Sequence, residues 1–205
     1  MGEDAKPLMD GYLEIEIKNK DGEVVEKYRQ KLHSWVRNFA HALRGILCCN
    51  TCDPCETVID VNGNSYPYPR TFAQSVPVLR VDEAAGSIKK GIVFGTGTTP
   101  ASPDDYKLES PIPHGTSSGQ LNYKECTVRG VEEITNGARI TIVRMATNES
   151  GGDITVSEVG LIAEASNVQA NGNIYFLILR EVLSEPRTVP NGDIIVCKII
   201  LDLLV

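Results

Sequence analysis

Apolar and polar residues alternate through most of this chain, with the two-residue period of strands. Tyr12 to Lys18 places Leu13, Ile15 and Ile17 on one face. Asn19-Lys20-Asp21-Gly22 then carries a hairpin turn signal, and Glu23 to Tyr28 returns. Arg139 to Met145 alternates in the same way, as does Ile154-Thr155-Val156-Ser157-Glu158-Val159, which sets Glu158 in line with Ile154 and Val156. The last strand, Ile194 to Val205, puts Ile195, Cys197, Ile199, Leu201, Leu203 and Val205 on one side. Shorter strands are expected at Val76 to Val81, Gly91 to Phe94, Leu121 to Tyr123, Cys126 to Val128, Glu132 to Ile134 and Ile174 to Glu181. Turns rich in Gly and Asn separate them, notably Thr135 to Ala138, Asn148 to Asp153, Asn171 to Asn173 and Pro190 to Asp193.

One segment follows the helical period. Trp35, Phe39 and Leu43 recur every fourth residue, with Val36, Ala40 and Leu47 beside them, and Arg37, Asn38, His41 and Arg44 facing outward. A helix is expected from about Trp35 to Leu47, with Ser34 as its N-cap. Strands joined without intervening helices exclude a βαβ layout and favour an antiparallel β-sandwich, jelly-roll or immunoglobulin-like. The expected organisation is a single domain over residues 1–205. Within it the hairpin and helix, residues 11–47, form an N-terminal elaboration, and residues 48–75 form a connecting arm rich in Cys, Tyr and Pro.

Charge narrows the function. A net charge of −7 argues against a nucleic-acid surface, which needs an excess of Lys and Arg. No apolar run is long enough to cross a bilayer, and Lys198 and Asp202 break the longest. The polar start, MGEDAKPLMDGY, does not read as a secretory signal, so a soluble protein made in a cytoplasm is expected.

Three phrases stand out: GTGTTPASPDDYKLESPI from Gly95, TNESGGDITVSEVGL from Thr147, and LILREVLSEPRTVPNGD from Leu177. Their order and turn chemistry resemble a β-structured module of tailed-virus virion proteins, meaning tail, fibre and capsid-accessory proteins of bacterial and archaeal viruses. The resemblance spans roughly Gly91 to Val205, with a weaker echo in SWVRNFAHALRG. It implies a non-enzymatic structural subunit, located in the virion after synthesis in the host cytoplasm. Such a subunit assembles with copies of itself and with other particle proteins. Contacts are expected on the Tyr-Pro arm (Tyr66, Tyr68) and on the loop from Gly95 to Pro113 (Thr98, Tyr106, Leu108).

Other chemistry has candidates. Cys48, Cys49, Cys52 and Cys55, spaced C-C-x-x-C-x-x-C, suit a zinc site, disulfides or reduced thiols; iron–sulfur ligation lacks the Cys-Pro that the bacterial ferredoxin run requires. No other cofactor is expected. A small metal- or redox-linked protein centred on Cys48 to Cys55 is therefore the alternative reading, and a carbohydrate-binding β-module a third. Cys126 and Cys197 sit singly in strands as core thiols, able to pair only if their strands face each other. His114 lies near Ser117 and Ser118, but no G-x-S-x-G elbow accompanies them. Asp104-Asp105 lacks EF-hand spacing, and GTGTT lacks the Lys-Ser/Thr ending of a phosphate loop. Glu158, a carboxylate among apolar strand residues, needs a partner, for which Arg144 and Arg180 are the candidates.

Overall fold

The computed structural model describes residues 9–47, 57–67, 79–167 and 172–204. Eleven strands and one helix follow in order: β1 (Met9–Lys18), β2 (Val24–Lys31), α1 (Arg37–Leu47), β3 (Thr57–Ile59), β4 (Ser65–Pro67), β5 (Gly91–Gly95), β6 (Asn122–Val128), β7 (Glu132–Ile134), β8 (Gly137–Thr147), β9 (Ile154–Asn167), β10 (Gly172–Val189) and β11 (Ile194–Leu204). Among the described residues the strand pairs are all antiparallel. One sheet runs β2-β1-β11-β8-β6, with β7 also on β8; a second runs β10-β9-β5; β3 and β4 form a separate hairpin. The chain is thus mostly β and sandwich-like, as the alternation implies.

Its core lies between the two larger sheets. Leu13, Ile15 and Ile17 from β1, Ile195, Cys197 and Ile199 from β11 and Tyr123 from β6 join Ile92 and Phe94 from β5, Leu161 and Ala163 from β9 and Phe176 and Leu179 from β10 in one buried cluster. A smaller cluster covers the opposite face of the second sheet, formed by Val36, Val93, Leu108, Ile162 and Leu177. The second sheet is therefore buried on both faces.

Several expectations change. The hairpin β1–β2 is no elaboration: β1 pairs with β11 over ten residues and lies inside the larger sheet. Its turn is as the sequence implies, with Asn19 Oδ1 accepting from the Asp21 and Glu23 amides and Gly22 at φ 84°.

The helix starts at Arg37 rather than Trp35. Residues 34–36 instead line the edge of β10, where Arg180 N–H donates to Ser34 O and Val36 N–H to Ile178 O. Ser34 consequently lies three residues before the helix and does not cap it. The buried side of α1 is Asn38, Phe39, Ala42 and Ile46, and Leu43 is exposed. Asn38, expected outside, is buried because its amide bonds both the N–H and the C=O of Ile59 on β3.

Of the strand expected at Val76 to Val81, residues 76–78 lie outside the described residues. Arg80 makes a two-bond bridge with Glu164, extending β9 beyond β5. The two short strands expected from Leu121 and from Cys126 form one strand, β6, with an irregularity between Tyr123 and Cys126. β10 continues past Glu181 to Val189, absorbing Pro186 in an irregularity opposite Ser157. That irregularity also switches the facing of β9. Val156 and Val159 both enter the main core, so Glu158 sits on the opposite face from Ile154 and Val156.

Candidate functional site

Glu158, from the second phrase, is the hub of the loop between β5 and β6. Its side chain is fully buried and accepts from the backbone N–H groups of Gly97 (3.2 Å), Glu109 (3.2 Å) and Ser110 (2.7 Å). The remaining bond comes from Nε of Arg180 on β10, at 2.7 Å. Arg180 reaches on to Asp105 (2.9 Å), Thr99 O (3.1 Å) and Glu109 (3.3 Å). Burial opposes the charge on Arg180, but its bonds to Glu158 and Asp105 outweigh that, and the guanidinium is held above its ordinary pKa. The backbone N–H and hydroxyl of Thr99 hold the Glu109 carboxyl below its ordinary value.

The glycines of the first phrase follow from this hub. Neither Gly95 nor Gly97 has a positive φ. A Cβ at Gly95 would lie 2.5 Å from Glu158 Oε1, and one at Gly97 2.6 Å from the same atom. They are glycine because a carboxylate packs against their backbone. Gly160, two residues after Glu158 on the same face, gives way to Leu108: an added Cβ would meet Leu108 Cδ1 at 2.4 Å.

The loop so held carries an open cleft of about 220 Å³, lined by Thr99, residues 104–109 and Arg180. Of the expected contact residues, Thr98 is exposed and Tyr106 half-buried, its ring against Gly63 of the β3–β4 turn. Leu108 needs correcting: it is buried at 2% exposure and anchors the loop instead of offering surface. Tyr66 is half-buried against the core, so it is not a free arm, and Tyr68 lies outside the described residues. Asp104 pairs with Arg37, and Lys107 sits over the Tyr106 ring.

Arg144 is not the partner of Glu158. It is buried in the main core and donates to the carbonyls of Lys124, Lys90, Ile92 and Ser87, with its guanidinium 4.8 Å from the Tyr123 ring. Burial pulls its pKa down. Together with Tyr123, whose hydroxyl accepts from Phe94 N–H (3.1 Å) and donates to Ile112 O (3.0 Å), it completes the edge of β5 away from β9, where Ile112 N–H also donates to Phe94 O.

Cys126 and Cys197 flank Arg144 in register on the same sheet, with β8 between their strands. Two strand spacings separate them by roughly 10 Å, beyond disulfide reach. Burial pushes both thiols up. His114 Nδ1 accepts from Tyr123 N–H. Cys48, Cys49, Cys52 and Cys55 lie outside the described residues, and among the described residues no group of three or more His, Cys, Asp or Glu is placed to hold a metal. No helix among them is long and apolar enough to cross a membrane.

Sequence reasoning missed Asp105 and Glu109 as partners of Arg180, and Gly160 as the seat of Leu108. The available signal was the coincidence of a strand carboxylate and a strand arginine with one loop rich in Gly and acids. Compared with known proteins, the chain matches no family model, no curated protein and no solved structure.

Proposed function

We propose that the chain is a non-enzymatic structural subunit of a virus particle, a tail, neck or capsid-accessory protein, which assembles with copies of itself and with other particle proteins. One observation carries this reading. The phrases behind the resemblance supply Gly97, Glu158 and Arg180, which meet in one ionic latch whose bonds are directed inward, onto the loop from Gly95 to Pro113, and Gly160, which seats Leu108 of that loop. A loop fixed in advance loses little conformational freedom on docking, which favours a repeated contact of defined geometry. Its outer rim offers Thr98, Asp104 and Lys107, a mixed polar set of the kind that borders interfaces.

Light scattering on the purified chain tests the proposal. A defined oligomer is expected, and Thr98→Arg with Lys107→Glu should shift it toward monomer without lowering the melting temperature. A wild-type monomer at every concentration, unchanged by addition of candidate particle proteins, defeats the reading.

A further inference from the structure

The larger sheet ends in two edges of opposite character. At one, β2 turns Lys27, Arg29 and Lys31 to the outer face, each more than half exposed. A second β2 laid alongside would set these cations against their own copies, which guards an open edge. At the other edge, β6 and β7 follow one another along β8. Residues 83–86 cover the first part of β6, where Glu83 and Cys126 exchange backbone bonds and Gly86 N–H donates to Tyr123 O. From Val128 to Ile134, no backbone bond from a described residue reaches the side away from β8. Val128 is 46% exposed here, and Val131, at 69%, is the most exposed large apolar residue among those described.

The register with β8 fixes the faces of this stretch. Val128 lies opposite Ile142 and Glu133 opposite Ala138, while Glu132 lies opposite Arg139 and Arg129 N–H donates to Thr141 O. Ile140 is left facing both Gly130 and Val131, so the chain bulges between β6 and β7. Arg139 and Thr141 are two residues apart on β8, which puts Arg129 and Glu132 together on the outer face. Arg139 itself is taken up by two bonds to Asp202. Turned about a two-fold axis at the bulge, the stretch is complementary to itself. Arg129 of each copy then meets Glu132 of the other, and the two Val131 side chains lie at the axis. We propose that this β6–β7 edge is the contact through which two copies of the chain dimerise, their larger sheets side by side. The contact names a surface for the self-assembly proposed above and rests on that reading. Because the bulge keeps the shared backbone ladder short, the two Arg129–Glu132 pairs and the valines carry it, and salt weakens it.

Sedimentation equilibrium of the full purified chain at low salt tests the contact. The wild type should reach at least twice the single-chain mass. Arg129→Glu alone and Glu132→Arg alone should each halve the assembled mass, since either change sets like charges together twice across the axis. Both residues are exposed, so each variant should melt as the wild type does. Mixed in equal amounts, the two variants should recover the wild-type mass as a heterodimer, an outcome that misfolding cannot produce. A single variant that associates as the wild type does, or a mixture that stays monomeric, overturns the proposal. A wild-type chain that is monomeric at every concentration also overturns it. An oligomer that ignores both substitutions yet dissociates with Thr98→Arg and Lys107→Glu overturns the edge contact and leaves the subunit reading standing.

Discussion

Gly97 and Gly160 are constrained by neighbours, Glu158 and Leu108, that are distant in sequence. Gly97→Ala forces the new methyl against Glu158 and Glu109, and overpacking of this kind costs about 1–3 kcal/mol. Gly160→Ala meets Leu108 first, at Cδ1, with Leu177 Cδ1 behind it at 3.2 Å, so Leu108→Ala should recover part of its loss in a double-mutant cycle read by urea denaturation. Independent, additive losses at the two positions would show that they do not touch. Glu158→Gln leaves Arg180 buried without its closest anion, and one-sided disruption of a buried pair costs about 3–5 kcal/mol. By contrast, Lys27→Gln, at the exposed end of its pair with Glu16, should cost no more than about 1 kcal/mol. Equal melting temperatures for these two variants would remove the hub assigned to Glu158.

At the scale of the strands, cross-strand side chains seal edges and set the response to acid. Tyr123→Phe removes the hydroxyl that joins Phe94 N–H of β5 to Ile112 O of the loop beside it. Leaving such groups unpaired costs about 1–3 kcal/mol, and faster amide exchange at Phe94 is expected. Unaltered exchange there would mean that the edge is closed by other means. Between β8 and β11, Arg139 meets Asp202 through two bonds of 2.7 and 2.9 Å and holds its carboxyl below the ordinary range. A carboxylate depressed by folding contributes stability above its unfolded pKa of about 3.9, and that contribution fades as pH falls through the lower folded value. Stability measured against pH below about 4 should therefore fall less steeply in Asp202→Asn than in the wild type. Identical acid slopes would discount the pair.

Across the whole molecule, the two sheets are joined along both open sides. Tyr123, Cys126 and Arg144 reach from the larger sheet to β5, while Gln30 reaches across to Glu181 and Val182 of β10. Elements linked on both sides should unfold together. Fluorescence of the single tryptophan, Trp35, which lies against β10, should follow the same denaturant transition as far-ultraviolet circular dichroism. Two separated transitions would mean that the edge covered by residues 34–36 comes away independently.

The sequence by itself determined the class of fold, because alternation and Gly-Asn turns act over a few residues. The β1–β2 hairpin turn, the β8 and β11 strands and the absence of a βαβ layout all follow from such short-range signals. It also marked Glu158 and Arg180, since a charge in an apolar strand is costly without a partner. Tertiary structure decided which partner it was and which way each side chain faces. The irregularity opposite Ser157 turns Glu158 away from the core, and no local pattern encodes a slip forced by residues on another strand. Residues 34–36 bond the backbone of Ile178 and Arg180 on β10's edge, so the helix starts at Arg37 rather than Trp35. Lys90 is far from Glu164 in the chain, and only the order β10-β9-β5 brings its ammonium to that carboxylate.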